Sequence, residues 1–429
     1  MRLLLIFFLF SVSCCQIINA QDFDEWFSDK TLRLDYTFSG DNHNQYIYLD
    51  EMRCSDCWYG RRVNLDSLLL QGNGQICMRD SETGRVIYRH SFSSLFQEWQ
   101  GTEEATRVQK SFENVFLVPF PKRAADITVT LTDTHRKVRG ELKHRIDPQD
   151  ILIRPVNTDS NVSWKYLEKH GDSQDKIDVA FVSEGYLGSE MAVFEHDCMA
   201  SIAALKAHEP FKSMADRFNF VAVMVPSAEK GVSIPHQKLW KNTALSSSFD
   251  TFYSNRYLTT LRLKKLHDVL NNVPYEHIVI LANTDNYGGG GIYNSYLMSA
   301  AHNKKNLPVV VHEFGHSFAG LADEYYYDDQ YEVMYPADTE PWEPNITTLV
   351  DFKSKWADMI GSQTKIPTEP TGKDLCTKVG VYEGGGYQSK GVYRPVQECR
   401  MKVNEAPFFC PVCERAIRRV IDYNTKPTR

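Results

Sequence analysis

The segment that most restricts how this chain can fold runs from Val309 to Phe318, an apolar stretch interrupted by His312, Glu313 and His316. Ionisable groups left unpaired in an apolar interior are costly, so the fold must give these three a partner. The apolar residues predict a buried helix from Leu307 to Phe318. His312 and His316 are four apart, little more than one turn, and their imidazoles therefore leave the same helix face. Two nitrogens so placed can reach one tetrahedral zinc ion at about 2.0–2.1 Å. Glu313 is offset by one position, beside a metal rather than on it. There a carboxylate can take a proton from water and pass it to a leaving amine.

Such a centre needs a third protein ligand. Gly320 can adopt the left-handed conformation that ends a helix, letting the chain swing a side chain back. The layout resembles that of the metzincins, in which a glycine follows the second histidine and the third ligand lies three residues beyond it. The register differs by one residue, since Gly320 is four after His316. Asp323 keeps the glycine-to-ligand spacing and is the first choice. Glu324 stays open as its rival, because one additional helical residue would rotate the turn.

The first residues read as a targeting segment. Arg2 precedes Leu3 to Phe10, an apolar run short for a bilayer span and suited to a signal-peptide core, and Ile18-Asn19-Ala20 is a cleavage site before Gln21. Cys14 and Cys15 offer an alternative, a lipidated cysteine that anchors the chain, although Ser11-Val12-Ser13 suits that processing poorly. No later segment has the roughly 20 apolar residues of a transmembrane helix. The expected location is secreted, periplasmic or at the cell surface. Export makes disulfides the expected state of Cys54, Cys57, Cys77, Cys198, Cys376, Cys399, Cys410 and Cys413. The Cys410-Pro411-Val412-Cys413 spacing also suits half of a zinc site or a redox pair.

The chain's 429 residues allow two or three domains, and 42% hydrophobic with 24% charged residues is ordinary for a globular protein. With a formal net charge of −7 and no basic block, no nucleic-acid partner is expected. Residues 21–156 read as short strands: Thr31–Phe38, Gln45–Leu49, Arg85–Tyr88 and Ala125–Leu131, punctuated by Gly40, Gly72, Gly74 and Gly84. They predict a small β-sandwich serving stability or docking. A polar connection is expected over 157–174. From 175 to 429, strands at Lys176–Ser183, Phe218–Val225 and His277–Ala282 alternate with helical patterns at Ser189–His208 and Leu307–Phe318. The whole is read as an α+β or α/β multidomain chain.

The string from His312 to Tyr325 resembles the motif of the IgA metallopeptidase family of secreted bacterial enzymes. Asp178–Tyr186, Gly288–Tyr293, Tyr393–Pro395, Cys399–Met401 and Phe409–Cys413 are similar to it as well. The resemblance implies a metzincin-like zinc peptidase domain, with a mixed sheet and an active-site helix, preceded by an extra β-rich domain. In metzincin-like folds an edge strand lies along the substrate cleft, and Tyr287–Ser299 matches that position; read from composition alone, its glycines equally suit a flexible loop. A methionine beneath the zinc is also implied, with Met401 matching better than Met334. Tyr393 is the candidate donor to the developing oxyanion. The expected activity is a zinc-dependent endopeptidase acting on protein or peptide substrates. An exopeptidase or amidase with the same core, and a non-catalytic zinc-containing surface protein, remain as alternatives.

Overall fold

The computed structural model describes residues 22–156, 162–327 and 333–426. The leader with Cys14 and Cys15 lies outside them, as do residues 157–161 of the expected connection.

The N-terminal part is built from two four-stranded sheets. In chain order the strands are β1 (Phe27–Gly40), β2 (Gln45–Ser55), β3 (Gly74–Asp80), β4 (Val86–Phe92), β5 (Lys110–Pro121), β6 (Ala125–Thr132), β7 (Val138–Ile146) and β8 (Arg154–Pro155). One sheet runs β5-β1-β2-β8 and the other β4-β3-β6-β7. Period-two burial is clearest in β6, where Ile127, Val129 and Leu131 face inward. β1 departs from it: six successive residues are buried, because both the facing sheet and the C-terminal part cover this strand. Phe38 of β1 and Phe116 of β5 lie 5.9 and 4.3 Å, centroid to centroid, from Phe92 of the opposite sheet, so aromatic rings bridge the layers. Two short helices, α1 (Phe23–Trp26) and α2 (Leu95–Trp99), add Trp26 and Trp99 to this core.

A six-stranded mixed sheet organises the rest. Its strands are β9 (Ser163–Glu168), β10 (Ile177–Glu184), β11 (Phe218–Met224), β12 (His277–Ala282), β13 (Gly289–Ile292) and β14 (Tyr296–Ala300), in spatial order β13-β14-β12-β10-β11-β9. The central four are parallel, and the edge strands β9 and β13 run antiparallel to their neighbours. β10 and β12 are buried on both faces, which explains their largely apolar sequence. The segment expected to be pure connection thus contributes an edge strand: Trp164 and Tyr166 of β9 pair with Val223 and Val221, and its half-exposed position leaves it polar in sequence.

Helices α3 (Met191–Lys206), α4 (Leu263–Val269), α5 (Asn306–Ala319) and α6 (Pro411–Thr425) accompany the sheet. A last sheet joins β15 (Tyr326–Tyr327), β16 (Tyr382–Gly385) and β17 (Tyr387–Arg394) in the order β15-β17-β16. None of the described helices is long and apolar enough to cross a membrane.

The two parts share one core and polar ties. Arg33 of β1, itself buried, meets Asp35 at 2.7 Å and Asp268 of α4 at 2.6 Å. Glu184, at the end of β10, is fully buried and satisfied: it accepts from Thr243 Oγ1 (2.5 Å), Leu245 N (2.8 Å) and Ser247 N (2.9 Å). The role of that carboxylate is to pin a long loop to the sheet.

Candidate metal centre

Helix α5 carries the two histidines. Its apolar face, including Val310, Phe314 and Phe318, is buried, and Phe314 stacks on Phe318 at 5.0 Å. The run of β-branched valines is poor for an isolated helix, so packing rather than propensity holds this one. Gly320 ends it at φ 59° and ψ 29°, the left-handed conformation, and Leu321 N donates to Gly315 O at 3.1 Å.

After that turn Asp323 returns to the helix. Its Oδ1 lies 3.0 Å from His312 Nε2 and 3.2 Å from His316 Nε2, and the two imidazole nitrogens are 3.0 Å apart. Donors at about 2.0–2.1 Å on a tetrahedron around one ion stand roughly 3.3–3.4 Å from each other, so this triangle fits a single small divalent cation. The ring orientations agree. His312 Nδ1 donates to the Arg400 carbonyl at 2.9 Å and His316 Nδ1 to the Leu321 carbonyl at 2.5 Å, leaving both Nε2 lone pairs turned to the common point.

Charge holds the three together before any ion arrives. Burial acts against a charged His316, yet Asp323 beside it lifts the imidazole to about 9. Burial likewise acts against the Asp323 carboxylate, but His316 and His312 outweigh it and keep the group well below the usual carboxylate range. A metal ion would replace that proton. Glu313 lies beside the triangle and is partly exposed. Burial raises its carboxyl above the ordinary value, with His312 and His316 opposing.

Glu324, the rival third ligand, turns the other way. It is fully buried and bound by Asn345 Nδ2 at 3.0 Å, while the Asn345 side chain also donates to Ala322 O and accepts from Ala322 N. Met401 lies beneath α5: a Cβ on Gly315 would stand 2.7 Å from its Sδ. Met334, by contrast, is 39% exposed.

Tyr393 lies in β17 opposite Glu383 of β16, its backbone bridged to Thr347 (3.0 and 2.8 Å), and among the described residues no contact joins its side chain to His312, His316 or Asp323. Tyr387 meets the site directly: its hydroxyl donates to Asp323 Oδ2. Its backbone has φ 66°, a left-handed conformation that bulky residues rarely adopt and that clusters at functional sites. Gly384-Gly385-Gly386 just before it was the available sequence signal.

The glycine segment forms the edge strand β13, and its glycines serve close approach. A Cβ on Gly291 would stand 2.5 Å from Glu313 O, and one on Gly289 2.9 Å from Val309 Cγ1. Tyr257 bridges part of its outer side. The same Tyr257 donates to Glu98 of α2 at 2.6 Å, and the Glu98 carboxyl lies close enough to feel His316, Asp323 and Glu313. The N-terminal part, expected to serve stability or docking, therefore brings a carboxyl near the site. No local pattern around Glu98 announced this.

No disulfide joins the cysteines among the described residues; Cys399 Sγ and Cys413 Sγ are 3.7 Å apart.

A family model described as IgA Peptidase M64 matches residues 166–377 and 371–421, more than half of the chain, and one described as Peptidase M64 N-terminus matches 22–143. Among solved structures, metalloproteinase-II from Bacteroides fragilis aligns over 62% of this chain and 85% of that chain, at 13% identity and a TM-score of 0.20. A likeness so slight carries no argument. Among curated proteins none matches.

Proposed function

Because this chain belongs to the IgA peptidase M64 family and is a metallopeptidase, we propose that it is an exported zinc endopeptidase cleaving peptide bonds in protein substrates. The observation that carries this reading is the meeting of His312 Nε2, His316 Nε2 and Asp323 Oδ1 at 3.0–3.2 Å, with Glu313 one position away on the same helix. His312, His316 and Asp323 would hold the ion. When bound there, zinc supplies Lewis acidity, polarising the scissile carbonyl and making water more acidic.

The chain's own groups do the rest. Glu313 takes the proton of the attacking water and delivers it to the leaving nitrogen, a task favoured by a carboxyl already raised by burial. Tyr387 holds the outer oxygen of Asp323 and so orients the inner one. β13, an edge strand packed on α5, is the platform along which an extended substrate backbone aligns. The helix with two histidines, the left-handed Gly320 and Met401 below it support a metzincin-like core. Export rests on the apolar leader before Gln21 and makes extracellular or envelope proteins the substrate pool.

The test is product mapping by mass spectrometry on folded and denatured proteins. Internal cuts that vanish with a chelator and return with zinc are expected. Full activity of demonstrably zinc-free protein overturns the metal reading, and products trimmed only from chain ends overturn the endopeptidase reading.

A further inference from the structure

A second cluster of donors lies behind the first. Glu324, Cys399, Cys410 and Cys413 are all fully buried, and their ligand atoms lie within 4.8 Å of one another. The separations are those of ligands around one ion. Cys399 Sγ to Cys413 Sγ is 3.7 Å, and Cys413 Sγ to Glu324 Oε1 is 3.3 Å. Sulfurs on a tetrahedral zinc with bonds of about 2.3 Å stand roughly 3.8 Å apart. A disulfide would need them at about 2.0 Å.

Three further features point to an ion. Three sulfurs lie in this group, with Cys376 outside it though near enough to feel Cys399 and Glu324, so a disulfide within the group would strand the third sulfur beside a carboxylate. Glu324 Oε2 is buried with no hydrogen-bond partner, although a buried carboxylate oxygen is costly to leave unpaired. The N-terminus of α6 also favours negative charge at two of the sulfurs: Cys410 caps the helix and Cys413 lies in its first turn. The Cys410 amide donates to Cys399 Sγ at 3.2 Å. Arg394 and Lys402 stand close enough to feel Glu324 and offset the excess negative charge of such a site.

We propose that Cys399, Cys410, Cys413 and Glu324 bind a second, structural zinc ion. Four protein donors close its shell, leaving no position for substrate. The ion ties together three segments that shape the catalytic centre. Glu324 adjoins Asp323 and its amide donates to Met401 O at 2.8 Å. Cys399 adjoins Arg400, whose carbonyl orients His312. α6 is held to both through Cys410 and Cys413. This places the two adjacent carboxylates of Asp323-Glu324 on different ions.

The test uses the mature chain and cobalt(II) exchanged for zinc. Elemental analysis is expected to give two zinc ions per wild-type chain and one in the His312→Ala/His316→Ala double variant. The cobalt form of that double variant is expected to keep a strong thiolate-to-cobalt charge-transfer absorption in the near ultraviolet, which nitrogen and oxygen donors do not produce. Cys410→Ser should lose the band. Where that variant does not fold, Glu324→Gln, which keeps all three sulfurs, should retain the band but surrender cobalt at about tenfold lower chelator concentration. A wild-type chain with one zinc ion, a double variant with none, a cobalt form without the band, or a mapped disulfide involving Cys399, Cys410 or Cys413 in active protein overturns the proposal. Failure of the catalytic reading leaves the band in the double variant untouched, so the two outcomes are distinguishable.

Discussion

Tyr387 donates its hydroxyl hydrogen to Asp323 Oδ2, tying residues 64 apart in sequence at the carboxylate that faces the two imidazoles. Backbone contacts run alongside: Gly386 N donates to Asp323 O at 2.8 Å and Tyr387 N to Tyr325 O at 3.0 Å. β17 thus acts as a clamp on the turn that follows α5. Outer partners of metal donors set the donor's orientation and basicity.

Removing only that hydroxyl isolates the effect. Tyr387→Phe is expected to weaken metal affinity or activity by about 10- to 100-fold. Competition with a chromophoric chelator reads the affinity. An unchanged affinity together with unchanged turnover would show that the backbone clamp suffices.

The proposed base can be separated from the proposed ligands. Glu313→Gln keeps the size of the side chain and removes proton transfer, so metal content should stay at the wild-type level while kcat falls by roughly 10²–10⁴-fold. His312→Ala should lose both. Retained turnover in Glu313→Gln would move the proton transfer to another group.

The glycines of β13 give a steric prediction. Gly291→Ala sets a Cβ 2.5 Å from the carbonyl oxygen of Glu313, which is backbone and cannot swing aside. A cost of about 1–3 kcal/mol is expected from such overpacking, read as a lower unfolding midpoint in urea. Gly188→Ala, whose nearest neighbour would be Pro226 Cβ at 3.9 Å, should stay within about 0.5 kcal/mol of wild type.

Acid sensitivity should arise in part from His277. It is buried against Phe318, with ring centroids 4.7 Å apart, and burial lowers its pKa from 6.5 to about 4. The unfolded chain therefore binds the proton more readily. The contribution of neutral His277 is complete above pH 6.5 and is lost as pH falls toward 4, an effect on the order of 3 kcal/mol. Urea unfolding at pH 7.5 and 4.5 checks this: His277→Gln should lose less stability between the two than wild type. Equal losses would place the titration elsewhere.

Much of the framework was legible in the chain. Helix α5 and strands β10, β11 and β12 fall within two residues of the apolar patterns, because a helix or strand buried on both faces needs nearly every side chain apolar. β9 was not legible, since an edge strand half in solvent has no such pattern. The N-terminal sandwich was visible as strands but not as a contributor to the cleft, because Glu98 reaches the site only when α2 docks beside Tyr257.

The sequence by itself placed His312, Glu313 and His316 on one helix face, because that relation depends only on the helical repeat. It also put a left-handed glycine at position 320. What it left open was which of Asp323 and Glu324 faces the imidazoles, which tyrosine stands behind the chosen carboxylate, and what the cysteines are for. Tertiary structure decided these. Adjacent residues on an extended segment point opposite ways, and only the contacts on each side say which way is toward the imidazoles. Here α5 takes Asp323, while Asn345, Met401 and the three cysteines take Glu324.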